Sequence, residues 1–202
     1  MSPYTPMGYI ARMNSRDNTA ANATAGLRRP VLGHWPSALG LAAATFQIVT
    51  GVATDSVAIT IAVAASCYLA AAALGLPWIA WANILAGSVV ITVSELAGMP
   101  WWWGLLVFAA ALVVVGLLRR TPVKPMTAQG LAMLGFGSVA VAAVLISPRL
   151  GLALAGVALV SHAAWDYVHW RRNAVVLRSL AEFCMVLDIP FGAAAIVLAV
   201  IG

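Results

Sequence analysis

Seven long apolar stretches, separated by short connectors, constrain this chain more than any other feature. A helix crossing the roughly 30 Å hydrocarbon core of a bilayer needs about 20 apolar residues, with about 17 as a practical minimum. Stretches over 35–53, 57–74, 77–96, 101–118, 128–146, 150–170 and 175–201 each meet that length. The connectors are short and most contain Pro or Gly, so consecutive spans are expected to run antiparallel as neighbours. The predicted fold class is all-α: a compact bundle of seven transmembrane helices over 34–202, preceded by a polar, mobile cytoplasmic arm over 1–33.

Composition removes the soluble alternative. With 63% hydrophobic and only 8% charged residues, a water-soluble domain would be left with large exposed apolar patches. The net charge of +5 would suggest nucleic acid in a soluble protein, but here the positive residues sit at the ends of apolar segments. They orient a membrane protein, and the expected partners are membrane lipids and no nucleic acid. With the N-terminus inside, Arg12, Arg16, Arg28, Arg29, Arg119, Arg120, Lys124, Arg171, Arg172 and Arg178 all fall on the cytoplasmic side, and only Arg149 falls outside. One span more or fewer would move the later basic clusters across, so charge parity favours seven helices with N-in and C-out.

The first 29 residues hold no short apolar core followed by a small-residue cleavage site, so they do not read as a signal peptide. Cys67 and Cys184 lie inside apolar runs and read as reduced, buried small hydrophobes rather than a disulfide framework. Trp35, Trp78, Trp101, Trp102, Trp103 and Trp170 fall near span ends, as expected of an interfacial belt. Asn83, Gln47 and Thr45 are expected to make interhelical hydrogen bonds, and the small residues within spans to allow close packing. An Ala-rich chain that prefers Arg to Lys points to a high-GC bacterium, and so to a bacterial inner (plasma) membrane.

Chemistry is concentrated in the last two spans. In "VALVSHAAWDYVHWRRN", His162, Asp166 and His169 are spaced by four and three residues, which places them on one stripe of a helix. The stripe descends from somewhat below mid-membrane toward the cytoplasmic border. An ionisable residue inside a membrane is expensive and usually faces the bundle interior. Neutral imidazoles beside a carboxylate suit a divalent metal, with His162, Asp166 and His169 as the candidate ligands, or a proton relay.

In the last span Asp188 lies near mid-membrane with no positive residue in reach on its own helix. An ionised Asp there costs roughly 3 kcal/mol or more, so Asp188 is expected to be protonated, hydrogen-bonded across helices, or paired with a group such as His162. Pro190 removes a backbone donor nearby, which predicts a kink. Glu182 is six residues before Asp188 and so on a different face; with Arg178 it suits an inner-border salt bridge, and it also counts as an acid/base candidate. Glu95 and Asp55 read as interfacial.

Several familiar machineries are excluded. The only lysine, Lys124, lies in a connector rather than the last helix, which rules out a retinal Schiff base there. No Gly-x-Ser-x-Gly, His-Glu-x-x-His or phosphate-cradling glycine motif occurs. The expected function is a small integral membrane enzyme acting on a lipid-like or isoprenoid substrate, with His162, Asp166, Asp188 and Glu182 as candidate catalytic groups. A proton-coupled or ion transporter using the same residues as a relay is one alternative. A non-catalytic subunit of a larger complex is another, and a homo- or hetero-oligomer is compatible with each of these.

Overall fold

The computed structural model describes residues 33–202, so all but the last residue of the expected arm over 1–33 lies outside the described part. The described residues are all-helical: α1 Trp35–Thr50, α2 Thr54–Leu74, α3 Ile79–Leu96, α4 Trp101–Leu118, α5 Val123–Leu145, α6 Pro148–Arg172 and α7 Arg178–Ile201. Six of them, α2 to α7, are long and apolar enough to cross a membrane. That is the architecture of a multi-pass membrane protein. The helix α1 has 16 residues and so spans only about 24 Å. It ends three residues before the expected boundary, where Gly51 takes φ +121°.

Local chemistry explains the other boundaries. Ser56 closes the start of α2 by accepting from the Ala53 N–H at 3.1 Å, and Gly75 ends it with φ 67°. Pro148 sits in the first turn of α6, where its missing donor is harmless. Asn173, at φ 48° and ψ 49°, terminates that helix in the left-handed region. The helix α7 continues through Pro190, so the proline sits within one helix rather than dividing two.

Cross-helix contacts show an up-and-down order within the compact unit Ser37–Gly202. Gln47 meets Thr60 and Asn83 meets Ser66; Gln129 meets Trp165 and Gly156 meets Gly192. Within each pair of neighbouring helices, contacts toward the end of one fall toward the start of the next. The described Lys and Arg residues other than Arg149 therefore gather at one end of the bundle.

The centre of the bundle is α2. In its most apolar stretch 83% of residues are buried, against 22–44% in α3 to α7. Its Ala58, Ala62, Ala65, Ala70 and Ala73 are all essentially inaccessible, and a helix that is small and apolar on every side can be surrounded. Helices close on it tightly; a Cβ on Gly116 of α4 would come within 3.1 Å of the Ala73 carbonyl.

Some interfacial assignments change. Trp101 does not stand in the lipid belt: it is 4% exposed, and its indole N–H reaches Asp55 Oδ1 at 3.4 Å. An aromatic ring with one polar atom is drawn inward when that atom finds an acceptor there. Trp78 and Trp103 are exposed as expected. Gln47 donates to Thr60 at 3.1 Å and Asn83 to Ser66 at 2.8 Å, across helices, whereas Thr45 donates to the Leu41 carbonyl of its own helix. A hydroxyl one turn from a carbonyl satisfies itself locally. Cys67 and Cys184 are both buried and unbridged.

Candidate functional site

The helices α6 and α7 approach until their backbones touch. A Cβ on Gly156 would lie 2.8 Å from the Gly192 carbonyl oxygen, and one on Gly192 would lie 2.8 Å from the Gly156 carbonyl oxygen. Small-residue pairs of this kind let membrane helices come close enough for short side chains to meet. One to two turns along, His162 faces Asp188: Nδ1 and Oδ2 are 2.9 Å apart. On its own helix His162 Nδ1 also lies 3.3 Å from Asp166 Oδ2, four residues on. Spacing alone placed His162 and Asp166 on one stripe, and register alone placed Asp188 opposite.

The central helix supplies the fourth member. Tyr68 of α2 donates its hydroxyl to Asp166 Oδ1 at 2.5 Å, a short contact between a phenol and a carboxyl group. His162, Asp166 and Asp188 have no accessible surface, and Tyr68 has 1%. Rings close over the imidazole, with Phe136 of α5 at 4.9 Å and Tyr68 at 5.8 Å, both edge-on. Among the described residues no Lys or Arg pairs with either aspartate; their ion-pair partner is His162.

The cluster is not self-satisfied. His162 Nε2, Asp166 Oδ2 and Asp188 Oδ1 are buried with no hydrogen-bond partner. Leaving one such atom unsatisfied costs about 1–3 kcal/mol. Three in one place is an arrangement that packing alone does not reward.

The remaining candidates fall elsewhere. His169 lies on the same helix but outside this group, with both ring nitrogens engaged. Nδ1 is 2.8 Å from the Trp165 carbonyl, to which it donates, and Nε2 is 3.0 Å from Gln129 Nε2. Trp165 in turn donates to Gln129 Oε1 at 3.2 Å, which fixes the Gln129 amide so that its N–H₂ faces the imidazole. The Trp165 carbonyl and the Gln129 amide together therefore hold His169 as the neutral Nδ1–H tautomer. Glu182 accepts from Ser37 of α1, on a face of α7 away from Asp188. Arg178 donates to the Trp170 carbonyl at 3.1 Å and lies over the Trp170 ring.

Sequence reasoning missed Tyr68, Gln129 and Phe136. For Tyr68 a signal existed: a phenol in the middle of an apolar run needs a partner for its hydroxyl. For Phe136 none existed. Comparison with family models, with curated proteins and with solved structures finds no match for this chain.

Proposed function

We propose that this protein is a small integral membrane enzyme that acts on a lipid-like or isoprenoid substrate through the His162, Asp166 and Asp188 cluster. The observation that carries the reading is the convergence of three fully buried ionisable side chains, with unpartnered polar atoms, in an apolar bundle. Ionisable groups buried in this way are held against their solvation cost, which supports reading the cluster as a working site. In this reading α1 also enters the membrane, giving seven spans with N-in and C-out in a bacterial plasma membrane. The supporting observation is the basic end of the bundle, which belongs on the cytoplasmic side.

An apolar groove lies beside the site and supports an apolar substrate. A lipid-facing groove of about 780 Å³ runs between α5 and α6, walled by Leu131, Leu154, Val157 and Trp165. Phe136 lines it and also packs against the His162 ring at 4.9 Å. One aromatic side chain thus touches both the groove and the ionisable cluster.

A proton relay is the second reading, favoured by the position of Tyr68. Its ring stands 4.8 Å from His169 and 5.8 Å from His162, and its hydroxyl is on Asp166. Comparative lipid analysis separates the two. Cells producing the native chain are expected to differ in at least one lipid species from cells producing His162→Gln at equal protein level. Identical lipid profiles, together with proton flux into vesicles that is lost in His162→Gln, would replace the enzyme by the relay.

A further inference from the structure

The three atoms His162 Nδ1, Asp166 Oδ2 and Asp188 Oδ2 point to a bound cation. We infer that His162, Asp166 and Asp188 form a three-ligand site for one divalent first-row transition metal, of the zinc, iron or manganese type. This rests on the enzyme reading and names its cofactor class.

Charge comes first. One imidazolium balances one carboxylate, and no Lys or Arg among the described residues pairs with the second. A divalent cation with a neutral imidazole balances both carboxylates at once. Geometry brings the groups together, with one ligand atom from each residue within 4.8 Å of the others, a spread that a bound ion draws in. Two ligands of a tetrahedral metal with bonds of about 2.0–2.1 Å stand about 3.3 Å apart, and the imidazole nitrogen lies 2.9 and 3.3 Å from its two carboxylate oxygens.

Hydrogen bonding gives an independent reason. A single Nδ1 proton faces two carboxylate oxygens and can serve only one of them well, and Asp166 Oδ2 is left without a hydrogen-bond partner. A cation at the same point serves both. The phenol of Tyr68 on Asp166 Oδ1 then takes the part of the outer hydrogen bond that orients a ligating carboxylate. One nitrogen with two carboxylates suits zinc, iron or manganese; it is too oxygen-rich for copper(I), and calcium and magnesium prefer oxygen alone. Three protein ligands leave a coordination position open, the pattern of catalytic rather than structural sites. The ligand set differs from the sequence expectation in one member: Asp188 replaces His169, whose nitrogens are held by Gln129 and Trp165.

Cobalt(II) is the probe, because its visible absorption reports coordination directly. The purified full-length chain, stripped with chelator and titrated with cobalt, is expected to bind about one ion per chain and to melt at a higher temperature when loaded. His169→Gln and Glu182→Gln are expected to keep the cobalt spectrum, and Asp188→Asn and His162→Gln to lose it. Should those last two fail to fold, Tyr68→Phe serves instead, with affinity expected to fall about 10–100-fold. A folded native chain that binds no cobalt, or a spectrum unchanged in folded Asp188→Asn, overturns the metal site. If the lipid difference between native and His162→Gln cells persists in that case, the enzyme reading survives as acid/base chemistry and only the metal is lost.

Discussion

Gly156 and Gly192 touch backbone to backbone, and that contact sets the distance at which His162 meets Asp188. Adding one methyl group at either position places it 2.8 Å from a carbonyl oxygen, which helix backbones cannot absorb without moving apart. Gly192→Ala is expected to destabilise the protein by about 1–3 kcal/mol. It is also expected to weaken cobalt binding although it touches no ligand. Thermal melting and the cobalt titration check both; an unchanged melt would mean that the two helices are not held together at this point.

Tyr68 and Asp166 make a second coupled pair. Removing the hydroxyl in Tyr68→Phe leaves Asp166 Oδ1 without its donor, at an expected loss of about 1–3 kcal/mol. In Asp166→Asn the same deletion is expected to cost less, because the acceptor is no longer charged. The double-mutant cycle measures the difference, and strict additivity would show that the 2.5 Å contact carries no energy of its own.

If the cluster exists for chemistry, neutralising it does not harm the fold. Compared in the metal-free state, His162→Gln and Asp166→Asn are expected to match the native chain in stability or to exceed it by up to about 3 kcal/mol, while abolishing the lipid difference in cells. Loss of yield and melting temperature with the lipid difference intact would assign the cluster to packing.

Orientation is open to a direct measurement. In a chain lacking Cys67 and Cys184, a cysteine placed in "RRTPVK" is expected to resist an impermeant reagent added outside, and one beside Arg149 to react. The reverse pattern would remove the N-in arrangement.

The turn from α6 to α7 holds local strain. Val175, a β-branched residue, has φ 70°, and the N–H of Val176 bonds the Ala174 carbonyl at 2.9 Å around it. Such a backbone costs about 1–3 kcal/mol for a residue with a side chain. Val175→Gly is therefore expected to be neutral or stabilising despite the lost isopropyl group. Val176→Gly, at a residue 3% exposed, is expected to lose about 1.5–3 kcal/mol. Equal losses at the two positions would show that no strain is stored there.

Sequence placed His162, Asp166 and Asp188 well because two regular rules sufficed: the helical period for the first two and antiparallel register for the third. The same rules set Glu182 on another face of α7, where it meets Ser37. They left His169 within the stripe because period fixes direction but not what a ring nitrogen finds there, and Gln129 and Trp165 claim both nitrogens. The identity of the central helix was not legible. In lipid every helix is apolar outside as well as inside, so no amphipathic signal distinguishes α2, and only the Tyr68 phenol within its apolar run marked it. Trp101 misled for a related reason, since position near a span end does not say which way the ring turns.

The burial of α2 on every side also bears on how the chain is made. During synthesis α2 enters the bilayer long before α5, α6 and α7 have left the ribosome, so its alanine surface first meets lipid tails or the insertion machinery. Tyr68 is in place 98 residues before Asp166 emerges. Both aspartates of the cluster thus follow Tyr68 in order of synthesis. A rearranged gene encoding α6 and α7 ahead of α2 would reverse that order and make Asp166 before the tyrosine that binds it.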